Sequence, residues 1–139
     1  MTVPLFCLLG FAVWTHLVLV TTIGVHRWTQ VLTGRAPIHA FRADRPEGPS
    51  WYRRAMRAHA NCVENLPVFG AVVVTATLSG LGAPLLGHLS AATLAARVCQ
   101  SVVHIVFVET ARTVSIRFTF FTVQVFAMLT MAFLIVGTR

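Results

Sequence analysis

The chain has 139 residues, of which 56 % are hydrophobic and only 11 % charged, with a mean hydropathy of +0.76. Soluble domains carry about 25 % charged residues, so a water-soluble fold would struggle to cover its surface, and an integral membrane protein is the leading class. Every basic residue is arginine, and the formal net charge is +7. Such a balance can signal nucleic-acid binding, but the arginines cluster between apolar runs, where membrane topology explains them, and no nucleic-acid partner is expected.

The first apolar run, Val3 to His26, contains no Asp, Glu, Lys or Arg. It lacks a basic n-region and a clear small-residue cleavage site, so it reads as a retained first span rather than a cleaved signal peptide. The connection that follows, Arg27 to Arg57, holds seven arginines, at 27, 35, 42, 45, 53, 54 and 57, against only Asp44 and Glu47. Its Gly, Pro and Arg content argues against a separate domain. The second run, 58–79, carries one charge, Glu64. The turn "SGLGAPLLG" ends it, with Gly80, Gly82 and Pro84 as breakers. The third run, 84–108, again carries one charge, Arg97, and a short connection with Glu109, Arg112 and Arg117 leads to the uncharged fourth run, 118–136, which contains Gln124. Each run is near the ~20 residues that cross a ~30 Å hydrocarbon core. Continuous rather than alternating apolarity favours helices over a barrel. The expectation is an all-α integral membrane protein, one four-helix domain over residues 1–139. By the positive-inside rule its first and third connections face the cytoplasm and both termini the other side. Cys7, Cys62 and Cys99 lie within apolar runs without C-x-x-C spacing, as packing residues do.

The polar residues inside these runs are patterned. Arg57, Asn61 and Glu64 recur at i, i+4, i+7, which puts them on one face of the second helix, with Pro67 following. Arg97, Ser101 and His104 repeat the spacing on the third helix, and Gln100 lies beside them. Glu64 lies ~10 Å along its helix from Arg57, and Arg97 lies roughly 16 Å from Val108, at ~1.5 Å per residue. A lone charge at such depth costs at least ~2.5–3.5 kcal/mol. The similar depths predict a Glu64–Arg97 ion pair facing the protein interior or a wet cavity. Such a pair with an asparagine can also simply lock helix packing or subunit register. No metal site is expected.

The stretch "RAHANCVENLPVF" resembles the signature of the MAPEG family, the membrane-associated proteins of eicosanoid and glutathione metabolism. The family's second helix reads approximately Arg-x-x-x-Asn-x-x-Glu, then proline, and Arg57, Asn61, Glu64 and Pro67 match it. In "RVCQSVVH", Arg97 matches the family's third-helix arginine, while His104 stands where tyrosine is usual. The resemblance implies a homotrimer in a lipid bilayer, with glutathione as co-substrate bound between subunits near the cytoplasmic face. It places Arg27, Arg57, Asn61, Glu64, Gln100 and His104 at the thiol. Arg117, or as second choice Arg112, would stabilise its thiolate, since a nearby cation favours the charged form. The implied activity is a transferase or peroxidase acting on lipophilic electrophiles or lipid hydroperoxides. Another low-molecular-weight thiol would suit the same charges. His104 in place of tyrosine keeps open a non-catalytic, lipid-binding or scaffold role, because fold does not fix function. A small transporter would be expected to show an internal repeat, and the sequence has none.

Overall fold

The computed structural model describes residues 1–42, 47–82 and 84–137; Asp44 and Arg45 of the arginine-rich connection lie outside the described residues. Helix α1 (Val3–Val18) starts after extended Thr2, with Pro4 in the first turn, where a missing N–H breaks no helical bond. It runs without interruption through a π-helical turn, Leu19–Gly24, into α2 (Val25–Leu32), giving one rod of 30 residues. At the end of the π turn the N–H of Val25 bonds the carbonyl of Val20, the five-residue reach that defines this geometry. The hydroxyls of Thr21 and Thr22 donate to the carbonyls of Leu17 and Val18, a back-bonding pattern that bends helices.

Three long helices follow: α3 (Ser50–Leu78), α4 (Pro84–Val106) and α5 (Ala111–Gly137). With the first rod they make four helices long and apolar enough to cross a membrane. Helix α3 continues through Pro67. The start of α5 is fixed by a reciprocal cap. The N–H of Thr110 bonds Thr113 Oγ1 at 2.9 Å, and the N–H of Thr113 bonds Thr110 Oγ1 at 3.2 Å, the logic of a capping box. The expected spans were placed correctly along the chain, but their ends differ. The first helix extends past residue 26 to Leu32, the second begins at Ser50 rather than 58, the third stops at Val106 rather than 108, and the fourth begins at Ala111 rather than 118. Hydropathy sees only apolar turns, whereas backbone hydrogen bonds carry a helix into polar surroundings wherever one face still packs. Tyr52 and Ala55 are that buried face at the start of α3, beside exposed Arg53. Arg53, Arg54, Arg57, Arg112 and Arg117 are therefore helical residues rather than loop residues.

Helix α4 packs against α1, α3 and α5, most extensively against α5. Its buried face is unusual in composition: apart from Leu86 and Ala96 it consists of Ser90, Thr93, Arg97, Gln100, Ser101 and His104. The hydroxyls need no outside partner. Ser90, Thr93 and Ser101 donate to carbonyls four residues earlier, at 2.7, 2.9 and 2.9 Å. Around this seam sits an apolar core that includes Phe11, Phe69, Val73, Met128 and Met131, with the Phe11 and Phe69 rings 5.6 Å apart. Phe6, Val13, Phe126 and Phe133 point outward, as surfaces meeting lipid or another chain do.

Gly10 brings α1 against α4: a Cβ there would lie 3.0 Å from Leu94 Cδ2. That atom is the end of a flexible side chain, so Gly10→Ala should be nearly neutral. Gly10→Leu should overpack the contact and cost about 1–3 kcal/mol, read as a lower melting temperature in detergent. Equal melting of both variants and wild type would contradict this close approach.

Candidate functional site

The stripe on α3 forms as the spacing requires, but it faces away from the core. Ala55, Ala58, Cys62 and Phe69 take the buried side of α3, while Arg57 and Glu64 are exposed and Asn61 is half-buried. Cys62 faces α4: its Sγ lies 3.5 Å from Ser101 Oγ. Glu64, two residues on, is rotated about 200° from it at 100° per residue. The expected Glu64–Arg97 ion pair is accordingly not made within one chain. Arg97 is 1 % exposed. Its guanidinium lies 5.5 Å from the centre of the Phe11 ring, and its Nε and Nη2 have no hydrogen-bond partner. Glu64 acts on it only through space, while Cys62 is the polar neighbour within reach. Depth along a helix, which the expectation rested on, does not specify which side of the helix a residue occupies. The ring contact offsets part of the burial cost, by about 2 kcal/mol when desolvated.

At the end of the bundle where the arginines gather, three helices are tied together. Glu109, just before α5, accepts ion pairs from Arg57 Nη1 of α3 at 3.6 Å and Arg117 Nη1 of α5 at 3.4 Å. Arg54 Nε donates to the carbonyl of Ile105 at 3.2 Å, satisfying one of the carbonyls left open in the last turn of α4. Arg27 is held elsewhere. Its Nε donates to Tyr52 Oη at 2.8 Å, its Nη2 approaches Met56 Sδ at 3.7 Å, and its guanidinium lies 5.6 Å from the centre of the Phe41 ring. Within one chain it does not join Asn61 and Glu64. Arg112 is exposed on the first turn of α5. His104 is buried, and its Nε2 is without a partner.

Gln100 and Gln124 connect this end to the interior. Gln124, fully buried, donates from Nε2 to Gln100 Oε1 at 3.1 Å and to its own helix at the carbonyl of Phe120, 2.9 Å. Gln100 Nε2 donates in turn to the carbonyl of Arg117 at 3.1 Å. This ladder fixes α5 against α4 at the turn that carries Arg117, whose side chain is 13 % exposed.

An exposed arginine–asparagine–glutamate stripe before a helical proline, on the second of four spanning helices, is a specific combination. Comparison with protein-family profiles matches residues 4–137 to the MAPEG family. The chain belongs to the MAPEG family. Comparisons with curated proteins and with solved structures gave no match. Membership places this MAPEG chain among membrane proteins of glutathione and eicosanoid metabolism. The stripe of the MAPEG signature lies on an outward surface of the single chain. A cavity of about 560 Å³ lies at the opposite end, where Thr2, Pro4, Leu86, Gly87 and His88 line it, and it has no part in the arginine cluster.

Two participants escaped the sequence reading. Glu109 counted there only as a charge opposing arginines; its signal was being the sole acid of its connection, directly before a Thr-x-x-Thr cap. Gln124 was visible as the lone amide of the fourth run, but its partner was not.

Removing one amide strands the other. Gln124→Leu should cost about 0.6–1.7 kcal/mol in detergent unfolding, the range for hydrogen bonds between membrane helices. Adding Gln100→Leu should cost less than the two single losses summed. A strictly additive double variant would show that the amides do not act as a unit. Arg97→Met should be neutral or stabilising, because a charge without a carboxylate contact gives way to an apolar side chain of similar length. A loss of about 3–5 kcal/mol would instead reveal a buried ion pair.

Proposed function

We propose that this MAPEG protein is a membrane-embedded, glutathione-dependent transferase or peroxidase acting on lipophilic electrophiles or lipid hydroperoxides. The observation that carries the reading is Glu64. It is a carboxylate well inside a spanning helix, exposed on the same outward face as Arg57 and Asn61, with no ion pair among the described residues. Facing hydrocarbon, it would cost several kcal/mol. The cost disappears if a second subunit covers the face and a polar ligand fills the space between. In this reading the assembly is a homotrimer, and glutathione lies between subunits near the cytoplasmic face, to which the arginine-rich ends belong, with both termini on the other side.

The charges suit that ligand. Glutathione carries two carboxylates and one ammonium group near neutral pH; the thiol itself supplies a nucleophilic sulfur. Glu64 takes the ammonium and Asn61 hydrogen-bonds the peptide portion. Arg57 takes a carboxylate, and Arg27 of a neighbouring subunit reaches the same mouth from its own side. Arginine suits this task because its planar fork matches a carboxylate. Arg117 is the first choice for holding the sulfur as thiolate. It is nearly buried, so its charge is poorly screened, and the Gln100–Gln124 ladder aims it. Arg112, exposed on the first turn, is the second choice. His104 replaces the usual tyrosine and has a free ring nitrogen, which can donate to or accept from the ligand. A non-catalytic lipid-binding role is the second reading, favoured by that replacement.

The test is binding of a panel of low-molecular-weight thiols to detergent-purified protein, followed by turnover with a chloronitrobenzene and a lipid hydroperoxide. Glu64→Gln should weaken glutathione binding roughly thirtyfold, the ~2 kcal/mol lost when one partner of a charge pair is removed. Arg117→Ala should retain binding and lose about 10²–10³ in kcat, as when one oxyanion donor is removed. Absence of binding at millimolar thiol sinks the reading. Lipid co-purifying without thiol-dependent turnover establishes the second one.

A further inference from the structure

The short connection between α4 and α5 contains one acid, Glu109, and its carboxylate is contacted from two directions. Arg57 and Arg117 both point Nη1 at the same oxygen, Oε1, at 3.6 and 3.4 Å. Residue 109 is not placed by chance. Thr113 Oγ1 donates to the carbonyl of Val108 at 2.9 Å and accepts from the N–H of Thr110 at 2.9 Å, so the backbone is held on both sides of Glu109. The position also precedes the N-terminus of α5, where the helix dipole favours negative charge. The carboxylate thus sits at a prepared anion position with two guanidiniums supplied by different helices.

The hold is nevertheless weak. The Glu109 side chain is 47 % exposed and that of Arg57 72 % exposed, and exposed pairs of this kind contribute about 0–1 kcal/mol. Both contacts fall on one oxygen, so neither guanidinium is engaged in the two-point fashion that makes arginine–carboxylate pairs strong. A ligand carboxylate that met either fork squarely would bind better than Glu109 does.

We propose that Glu109 is a resident surrogate for a ligand carboxylate. It keeps Arg57 and Arg117 neutralised and close together when the site is empty, and an anionic ligand displaces it on binding. Glu109 therefore tunes how strongly the site favours carboxylates, and it holds the two arginines in place before the ligand arrives. The proposal rests on the reading that Arg57 belongs to a ligand site. A plain clip between α3 and α5 is the competing role, and it predicts that removing Glu109 loosens the helices without improving any ligand.

The experiment is isothermal titration of the detergent-solubilised full chain, wild type and Glu109→Gln, at fixed ionic strength. Two titrants are used: glutathione, and glutarate, a dicarboxylate with neither thiol nor ammonium. Thermal unfolding and circular dichroism accompany each variant. The expected result is binding of both titrants about twofold to fivefold tighter in Glu109→Gln, the affinity equivalent of losing a competing exposed pair. Glutathione binding that is unchanged or weaker in the variant overturns the proposal and leaves the glutathione reading standing. Glutarate bound more tightly by the variant, with no glutathione binding by either protein, supports the surrogate role and removes the glutathione reading. No binding of either titrant to either protein overturns both. If Glu109→Gln does not fold, Glu109→Asp replaces it, since its carboxylate is one methylene too short to span both arginines. Tighter glutarate binding by that variant supports the proposal, and equal or weaker binding overturns it.

Discussion

A bilayer offers no hydrogen bonds, so every polar group that enters it must find its partner inside the protein. The constraint presses hardest on helix α4, where buried nitrogens of Arg97 and His104 lack a partner and the other polar side chains are paired. Its buried face is lined with hydroxyls, two ionisable side chains and an amide, and the other helices are arranged to enclose it. The hydroxyls are satisfied within the helix itself. Gln100 is satisfied by α5, Cys62 of α3 meets Ser101, and Phe11 of α1 lies over Arg97. A bundle of purely apolar helices could slide and rotate among many packings at little cost, since lipid tails are as good a neighbour as leucine. A polar seam removes that freedom: each helix has one rotation in which α4 is properly covered.

The same constraint separates two populations of charge. Arg97 is inward, fixed and without a carboxylate contact. Arg57 and Glu64 are outward, at the edge of what one chain can enclose. The first group serves the packing of the subunit. The second lies on the outer surface of the subunit, with Arg57 held there by Glu109. The Gln124–Gln100–Arg117 ladder links them, since it begins in the packed interior and ends at the turn whose arginine reaches Glu109 and, through it, Arg57. Rotation of α5 is therefore set from inside, while its chemistry is presented outside.

How much of this the sequence discloses depends on the length over which a signal acts. Four runs near 20 residues with breakers between them identify the spanning helices, because hydrophobicity summed over a whole helix outweighs local detail. Helical spacing likewise groups Arg57 with Glu64 on one face of α3. Helix ends are harder. Residues 50–57 and 111–117 look like loop by charge, yet they are helical because Tyr52, Ala55 and the Thr110–Thr113 cap supply packing and capping that hydropathy does not register. Partner choice between helices is hardest. Glu64 and Arg97 are the lone charges of their apolar runs and opposite in sign, but the rotation of α3 that buries Cys62 turns Glu64 outward. That rotation is decided by the full set of contacts around α4, which no pairwise rule contains.

The π turn at Leu19–Gly24 has a consequence for how the first spanning rod is written. Before it, α1 packs on both α3 and α4, with Gly10 set against Leu94; the turn itself packs on α3, with Ile23 among Tyr52 and Ala55, and beyond it Arg27 bonds Tyr52. A continuous α-helix has a single phase, fixed at about 100° per residue from end to end. The slip from four-residue to five-residue bonding shifts the phase of the rod by a fixed angle. Helical spacing counted from α1 therefore misassigns the inward residues of α2, and the two stretches are read as separate frames along one rod.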